Sequence, residues 1–399
     1  MATPKLKLGN DKWATKSKSL LAYNDEGNNF KSLPFRVERL SGGSYVGRNG
    51  LIQYAATEEP RIDFTNYSKG ALLLEPQRTN GCLYSKTLSS WTILNGGSIQ
   101  TITDNDEVAP DGTTTASTIE FTGNGSSLIR HFSNTSYTSA KHSCSFWAKK
   151  ISGNGTVFFG LTDTETEFTP TNEWVKYEVN NITPTNFGTN LFLDLNFVCS
   201  TGDKIAVWGM QFEAGTYSTS TIPTAGSAAT RIADLTENDS IPGDLINSTE
   251  GTIFIDFEYL YETTSSSSTD ANRDIFVLGT SADISEGVSI DNYRSQFRVF
   301  VQGSGMTTQS IGNNSTGAAQ PNTRYKLAVK YKTGDCKAYL NGSLLGSGTG
   351  TVNFVTDLNG IFFSYNSSSR HFKNQKKVYD LQYFDTALTD AELTTLTTL

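Results

Sequence analysis

Short segments in which every second residue is apolar, each closed by a turn signal, recur along most of the chain. This period of two restricts the fold more than any other feature. Within residues 252–262, Ile253, Ile255, Phe257, Tyr259 and Tyr261 alternate with mostly polar partners, as on one face of a half-buried strand. Glu262 and the Thr/Ser run to Thr269 then read as a loop. Tyr325, Leu327, Val329 and Tyr331 alternate with lysines in the same way. Asn341-Gly342 follows the apolar segment 336–340, and Asn-Gly between alternating segments is a two-residue hairpin signal. Seven further candidate strands lie at 98–103, 116–121, 142–149, 156–161, 174–179, 190–198 and 204–212. Turns such as Asp111-Gly112 and Gly153-Asn154-Gly155 separate them, a spacing that argues for an antiparallel sandwich. Thr389 to Glu392 forms a capping box that opens a short last helix.

A chain of 399 residues exceeds one compact core. The expected fold class is all-β: two antiparallel β-sandwich (jelly-roll) domains preceded by an extended N-terminal arm. The arm spans 1–80, the first jelly roll 81–234 and the second sandwich 235–399, with 225–234 as a small, Thr/Ala-rich linker. In the arm, patches at Leu20, Leu21 and Tyr23, at 33–37 and at 51–54 sit between Gly- and Asn-rich turns. No continuous core pattern joins them, so the arm is expected to lean on partners. Burial of those patches between copies makes a homotrimer the expected assembly.

Net charge is −8 with a pI near 5.1, so nucleic acid and anionic lipid are not expected ligands. The basic group Lys5, Lys7, Lys12, Lys16 and Lys18 reads as a solvated or interface-bound arm. No run of about 18 apolar residues exists, and the first residues have no apolar signal-peptide region, so neither membrane insertion nor secretion is expected. The cysteines Cys82, Cys144, Cys199 and Cys336 form no C-x-x-C pair and read as reduced, buried small hydrophobes.

Candidate chemistry is sparse. His131, His142 and His371 are not at metal-ligand spacing, and no G-x-S-x-G elbow occurs. Glycoside hydrolysis needs two carboxylates across the sugar. Asp256 and Glu258 share a strand face, but Phe254 stands where a leading Glu would be, so both read as solvent-facing acids. No cofactor is expected beyond a structural calcium ion. Asp270-Ala-Asn272-Arg-Asp274 imitates the start of an EF-hand loop but has Ile275 at the glycine position. The Asp/Asn-rich stretches 104–107 and 283–292 are the other places for calcium.

Carbohydrate contact calls for aromatic faces with polar neighbours. Trp147 alternates against Phe146 and Ala148, so it faces away from their core. Tyr365, Asn366, Arg370 and His371 gather suitable chemistry in one loop. Three residues read as structural. Glu75 and Arg78 flank the break after the apolar run 72–74 and are placed to pair across it. Trp208 shares a period-two face with Met210 and Phe212 and is expected in the core.

Two ordered motif groups carry a family resemblance. The first is Pro60-Arg-Ile-Asp-Phe64, Leu72-Leu-Leu-Glu-Pro-Gln-Arg-Thr-Asn80, Tyr84-Ser85, Trp91, Ala109-Pro-Asp-Gly112 and Ser145-Phe-Trp-Ala-Lys149. It continues with Val207-Trp-Gly-Met-Gln-Phe-Glu-Ala-Gly215, Ile222-Pro-Thr-Ala225 and Thr230-Arg-Ile-Ala-Asp234. Over about 60–234 this set resembles the carbohydrate-binding-module-like jelly roll of tailed-phage head-spike, head-fibre and tail-fibre proteins. The second group is Gly251-Thr-Ile-Phe-Ile255, Tyr339-Leu-Asn-Gly-Ser343 and 383–392. Over about 245–399 it is similar to laminin-G/concanavalin-A-like lectin domains. Residues 1–59 resemble the leading arm of the same phage proteins.

The resemblance implies a protein of the virion surface, assembled in the bacterial cytoplasm, trimeric, and in contact with host-surface glycans. Its N-terminal arm would meet other virion proteins. Three functions compete on these grounds: a non-enzymatic fibre or spike that binds glycans, a purely structural decoration or connector, and a polysaccharide depolymerase.

Overall fold

The computed structural model describes residues 2–23, 33–95, 97–136, 140–161, 164–184, 190–260, 273–280, 286–293, 296–313, 319–363 and 375–399. The expected fold class is found: strands take 57% of the described residues and helix 3%. The chain divides into two units that exchange segments. One holds residues 1–42, 55–76 and 233–399, and the other 43–54 and 77–232.

The second of these units is a sandwich of two five-stranded antiparallel sheets. One sheet runs in the order Thr92–Asn95, Gly125–Ser136, Asn190–Cys199, Thr156–Leu161, Thr164–Phe168. The other runs Ile99–Val108, Thr114–Phe121, Lys204–Ala214, His142–Ser152, Val175–Ile182. Ile119, Phe146, Phe159, Leu195, Phe197 and Val207 meet between them, all fully buried. Burying each such side chain stabilises by about 1.5–3 kcal/mol. Phe146 and Phe159 stack with ring centroids 4.3 Å apart. Period-two alternation located seven of these strands. It missed the short Thr92–Asn95 and Thr164–Phe168, and also Gly125–Ser136, whose outward positions carry Arg130 and Phe132 rather than a uniformly polar set.

The other unit joins an eight-stranded and a nine-stranded sheet. The alternating apolar set of Glu250–Leu260 points inward as expected, with Ile253, Ile255, Phe257 and Tyr259 fully buried. Tyr261 and the loop to 272 lie outside the described residues. The strands Cys336–Leu340 and Ser343–Gly348 pair through a two-residue turn. Its residues Asn341 and Gly342 take φ of 49° and 82°, the double positive φ that such turns need. The last helix, Asp390–Thr397, starts at Thr389 with the capping box in place.

Two expectations about organisation need correction. Residues 1–42 and 55–76 are not an arm without a core. Leu6–Gly9 pairs with Gln375–Phe384, setting Leu6 against Tyr383 and Leu8 against Leu381. Ala71–Leu74 pairs with the same strand through Leu72 and Val378. Leu6, Leu8, Leu20, Phe35, Leu72 and Leu74 are buried in one core with Ile255 and Leu381. Each patch is too short to show a period of its own, because strands from the far end of the chain supply the rest of the core. The stretch 225–234 is also not a free linker. Ala229–Arg231 pairs with Arg78–Asn80, and Arg231 is buried.

Candidate functional site

Several motif residues that carry the phage-fibre resemblance form a buried ionic cluster. Arg61 Nη1 donates to Glu75 Oε2 at 2.6 Å, and its Nη2 donates to Asp234 Oδ2. Arg39 Nη1 donates to Asp234 Oδ1 at 2.6 Å, and its Nη2 reaches the carbonyls of Ala56 and Glu59 at 2.8 and 3.0 Å. The Glu75 amide donates to Asp234 Oδ2 at 2.9 Å. Side-chain exposure is at most 2% throughout. Burial disfavours both guanidinium charges and pulls the pKa of Arg39 down, while for Arg61 the carboxylates of Asp234 and Glu75 outweigh it. Two positive and two negative groups cancel, so the cluster works as a lock between distant segments and leaves no charge for a ligand. Glu75 is thus structural, with Arg61 as its partner. Arg78 lies with its guanidinium 5.2 Å from the Tyr217 ring centre.

Trp208 is fully buried, but not in the core that holds Met210 and Phe212. On the strand Lys204–Ala214, Gln211 pairs with Ser145 and Trp208 with Trp147. Two residues, Gly209 and Met210, therefore oppose the single residue Phe146. Such a β-bulge reverses the alternation: Ile205 and Val207 face the core on one side of it, Met210 and Phe212 on the other. Gly209 absorbs the extra residue at φ 65°, a conformation that favours glycine. Trp208 is left on the outer face beside Trp147.

That outer face carries an aromatic cluster. Trp208 packs with Ile52, Ala109 and Ala116, and the half-buried Trp147 and Trp174 pack against them. The indole N–H groups donate to Thr115 Oγ1 (Trp208, 3.1 Å), Thr221 Oγ1 (Trp147, 3.3 Å) and the Val108 carbonyl (Trp174, 2.8 Å). Lys86 Nζ stands 4.7 Å from the Trp208 ring centre and 5.6 Å from that of Tyr54, and 3.2 Å from Asp111 Oδ2. Tyr54 is 45% exposed. The exposed Tyr54 ring with the ammonium of Lys86 and the carboxylate of Asp111 beside it suits a ligand with apolar faces and hydroxyl edges. The alternation around Trp147 pointed to this face. Tyr54, Lys86 and Trp174 carried no local signal and come together only through the fold.

The other expected sites have these positions. Tyr365, Asn366, Arg370 and His371 lie outside the described residues. Asp256 is gripped by Arg324, whose Nε and Nη2 reach Oδ1 and Oδ2 at 2.7 Å each. The same guanidinium lies 4.6 Å from the Tyr67 ring centre and 4.3 Å from that of Tyr379. Glu258 accepts from Tyr379 Oη at 2.8 Å. Asp380 is the register partner of Asp256; burial, with the charge of Asp256 beside it, pushes its carboxyl up to about 6.

Among the calcium candidates, Asp104 accepts from the amides of Leu88 and Ser89 and the hydroxyl of Ser117. Asp106 and Glu107 pair with Lys204 and Lys149. Residues 270–272 and 283–285 lie outside the described residues. No group of three metal-ligating side chains occurs among the described residues. His131 Nε2 accepts from the Leu83 amide at 3.0 Å, and burial pushes its pKa down to about 4.

No protein-family model matches the chain, and no curated protein sequence does. Among solved structures, the binding domain of botulinum neurotoxin serotype D aligns with a TM-score of 0.31 and 13% identity, over 41% of this chain and 40% of that one. The binding domain of botulinum neurotoxin DC, solved with rat synaptotagmin II, aligns at 0.31 and 18%, over 41% and 39%. The leech intramolecular trans-sialidase aligns at 0.29 and 16%, over 38% of this chain and 23% of that one. The chain thus spans about two fifths or less of each of these structures. Likeness at this level assigns no function.

Proposed function

We propose that this chain is a non-enzymatic structural protein of a bacterial virus surface, a head or tail fibre or spike that attaches to host-surface glycans. The observation that carries the attachment role is the outer-face cluster in which the partly exposed Trp147 and Trp174 pack against Trp208, with Lys86 over Trp208 and Tyr54 and paired to Asp111. The virion location draws its support from the ordered motifs between Pro60 and Asp234. The absence of catalysis draws its support from Asp256 and Glu258, which are engaged by Arg324 and Tyr379. On the virion the protein would be a homotrimer in contact with other virion proteins. With the N-terminal strands built into a sandwich, those contacts would use a folded surface rather than a loose arm.

A purely structural decoration or connector is the second reading. It is favoured by the buried lock of Arg39, Arg61, Glu75 and Asp234, which spends motif residues on stability alone. An array of bacterial surface glycans, probed with the full chain and with Trp147→Ala, separates the two. Binding that is lost in the variant supports attachment. A wild-type chain that binds nothing on the array favours the connector.

A further inference from the structure

The sheet Thr92–Asn95, Gly125–Ser136, Asn190–Cys199, Thr156–Leu161, Thr164–Phe168 carries a second constellation on the face turned away from the core. Cross-strand register sets it out in rows. Phe132 pairs with Phe192, Arg130 with Asp194, and Asn196 lies between Leu128 and Phe158. Arg130 Nε and Nη2 reach Asp194 Oδ1 and Oδ2 at 2.7 and 2.6 Å, and the guanidinium lies 3.6 Å from the Phe192 ring centre. This planar ion pair is neutral overall and held in place on its ring. Asn196 Oδ1 is buried and accepts no hydrogen bond among the described residues. Phe132 is 53% exposed and Phe158 half-buried.

We propose that this face is a second ligand surface, for an uncharged sugar chain. The buried acceptor of Asn196 calls for a donor, which a sugar hydroxyl supplies. Phe158 and Phe132 offer rings to apolar C–H faces at the two ends of the row. Arg130 and Asp194 satisfy each other's charge, so nothing here selects an ionic ligand. Asn196 and Phe192 are four residues apart on one strand, about 13 Å, the reach of a short oligosaccharide rather than one ring. This inference shares the glycan reading of the protein but uses none of the residues around Trp147.

The test titrates the full chain with neutral glucan, mannan and galactan hexaoses by calorimetry, alongside Asn196→Ala, Phe158→Ala and Trp147→Ala. Because Asn196 Oδ1 has no partner to lose, Asn196→Ala is expected to keep the wild-type melting temperature. At least one hexaose is expected to bind, with affinity falling at least tenfold in Asn196→Ala and Phe158→Ala. Loss of binding in Trp147→Ala alone would overturn this surface and leave the proposed function standing. Failure of the wild-type chain to bind any glycan would remove both. Light scattering supplies the remaining check: an oligomer that Phe132→Asp dissociates would assign the face to a second copy of the chain and overturn the proposal.

Discussion

Trp147 and Trp208 are register partners on neighbouring strands, and both lie on the side of their sheet that faces away from the jelly-roll core. One extra residue beside them, at Gly209, places Trp208 there. A Cβ on Gly209 would stand 3.2 Å from Trp147 Cδ1 and 3.3 Å from Thr221 Cγ2, on a backbone at φ 65°.

Gly209→Ala is therefore expected to destabilise this unit by about 1–2 kcal/mol, the penalty of a left-handed L-residue. Gly209→Val should do more harm, since its extra methyl groups meet the indole. Urea unfolding followed by tryptophan fluorescence reads both, and an unchanged midpoint in Gly209→Val would refute the bulge.

Asp234 bridges two arginines that have no exposure to water. Asp234→Ala leaves both guanidinium groups buried without full compensation, a loss of about 3–5 kcal/mol. The unfolding transition of the unit containing 233–399 is expected to shift or vanish. A shift below about 1 kcal/mol would show that the cluster is not a lock.

Two buried groups shape the pH dependence in opposite directions. His131, with its pKa down at about 4, binds its proton more weakly in the folded chain than at the unfolded value of about 6.5. Stability should fall as pH drops from about 6.5 toward 4, and His131→Gln should flatten that slope. Asp380, raised to about 6, holds its proton more tightly when folded. Its contribution is present at low pH and is lost as pH rises from about 3.8 through 6. Asp380→Asn should therefore raise the melting temperature at pH 7 and leave it nearly unchanged at pH 3.5. The reverse pattern would refute the sign of either assignment.

All of Cys82, Cys144, Cys199 and Cys336 are free and buried. Burial pushes the Cys82 and Cys199 thiols up to about 12 and raises the other two. Thiolate is the reactive form, so a maleimide reagent should leave the native chain unlabelled at neutral pH and label all of these cysteines in urea. Rapid native labelling would contradict the packing around them.

Local sequence signals alone determined the all-β class, most strands of the sandwich between 98 and 214, the Asn341-Gly342 hairpin and the final helix. Each of these is local: alternation, a pair of residues tolerant of positive φ, and a capping box act over a few positions. Alternation also put Trp147 on the outer face, since Phe146 and Ala148 beside it could only be core. Tertiary structure decided the rest. The N-terminal strands found their core against Gln375–Phe384, and no local pattern records a pairing across so much chain. Trp208 left the face it shared with Met210 in sequence because a single residue in the bulge shifts every later side chain to the other side. The cluster of Arg39, Arg61, Glu75 and Asp234, and the gathering of Lys86, Trp147 and Trp174 around Trp208, depend on distances between segments that a linear pattern does not carry.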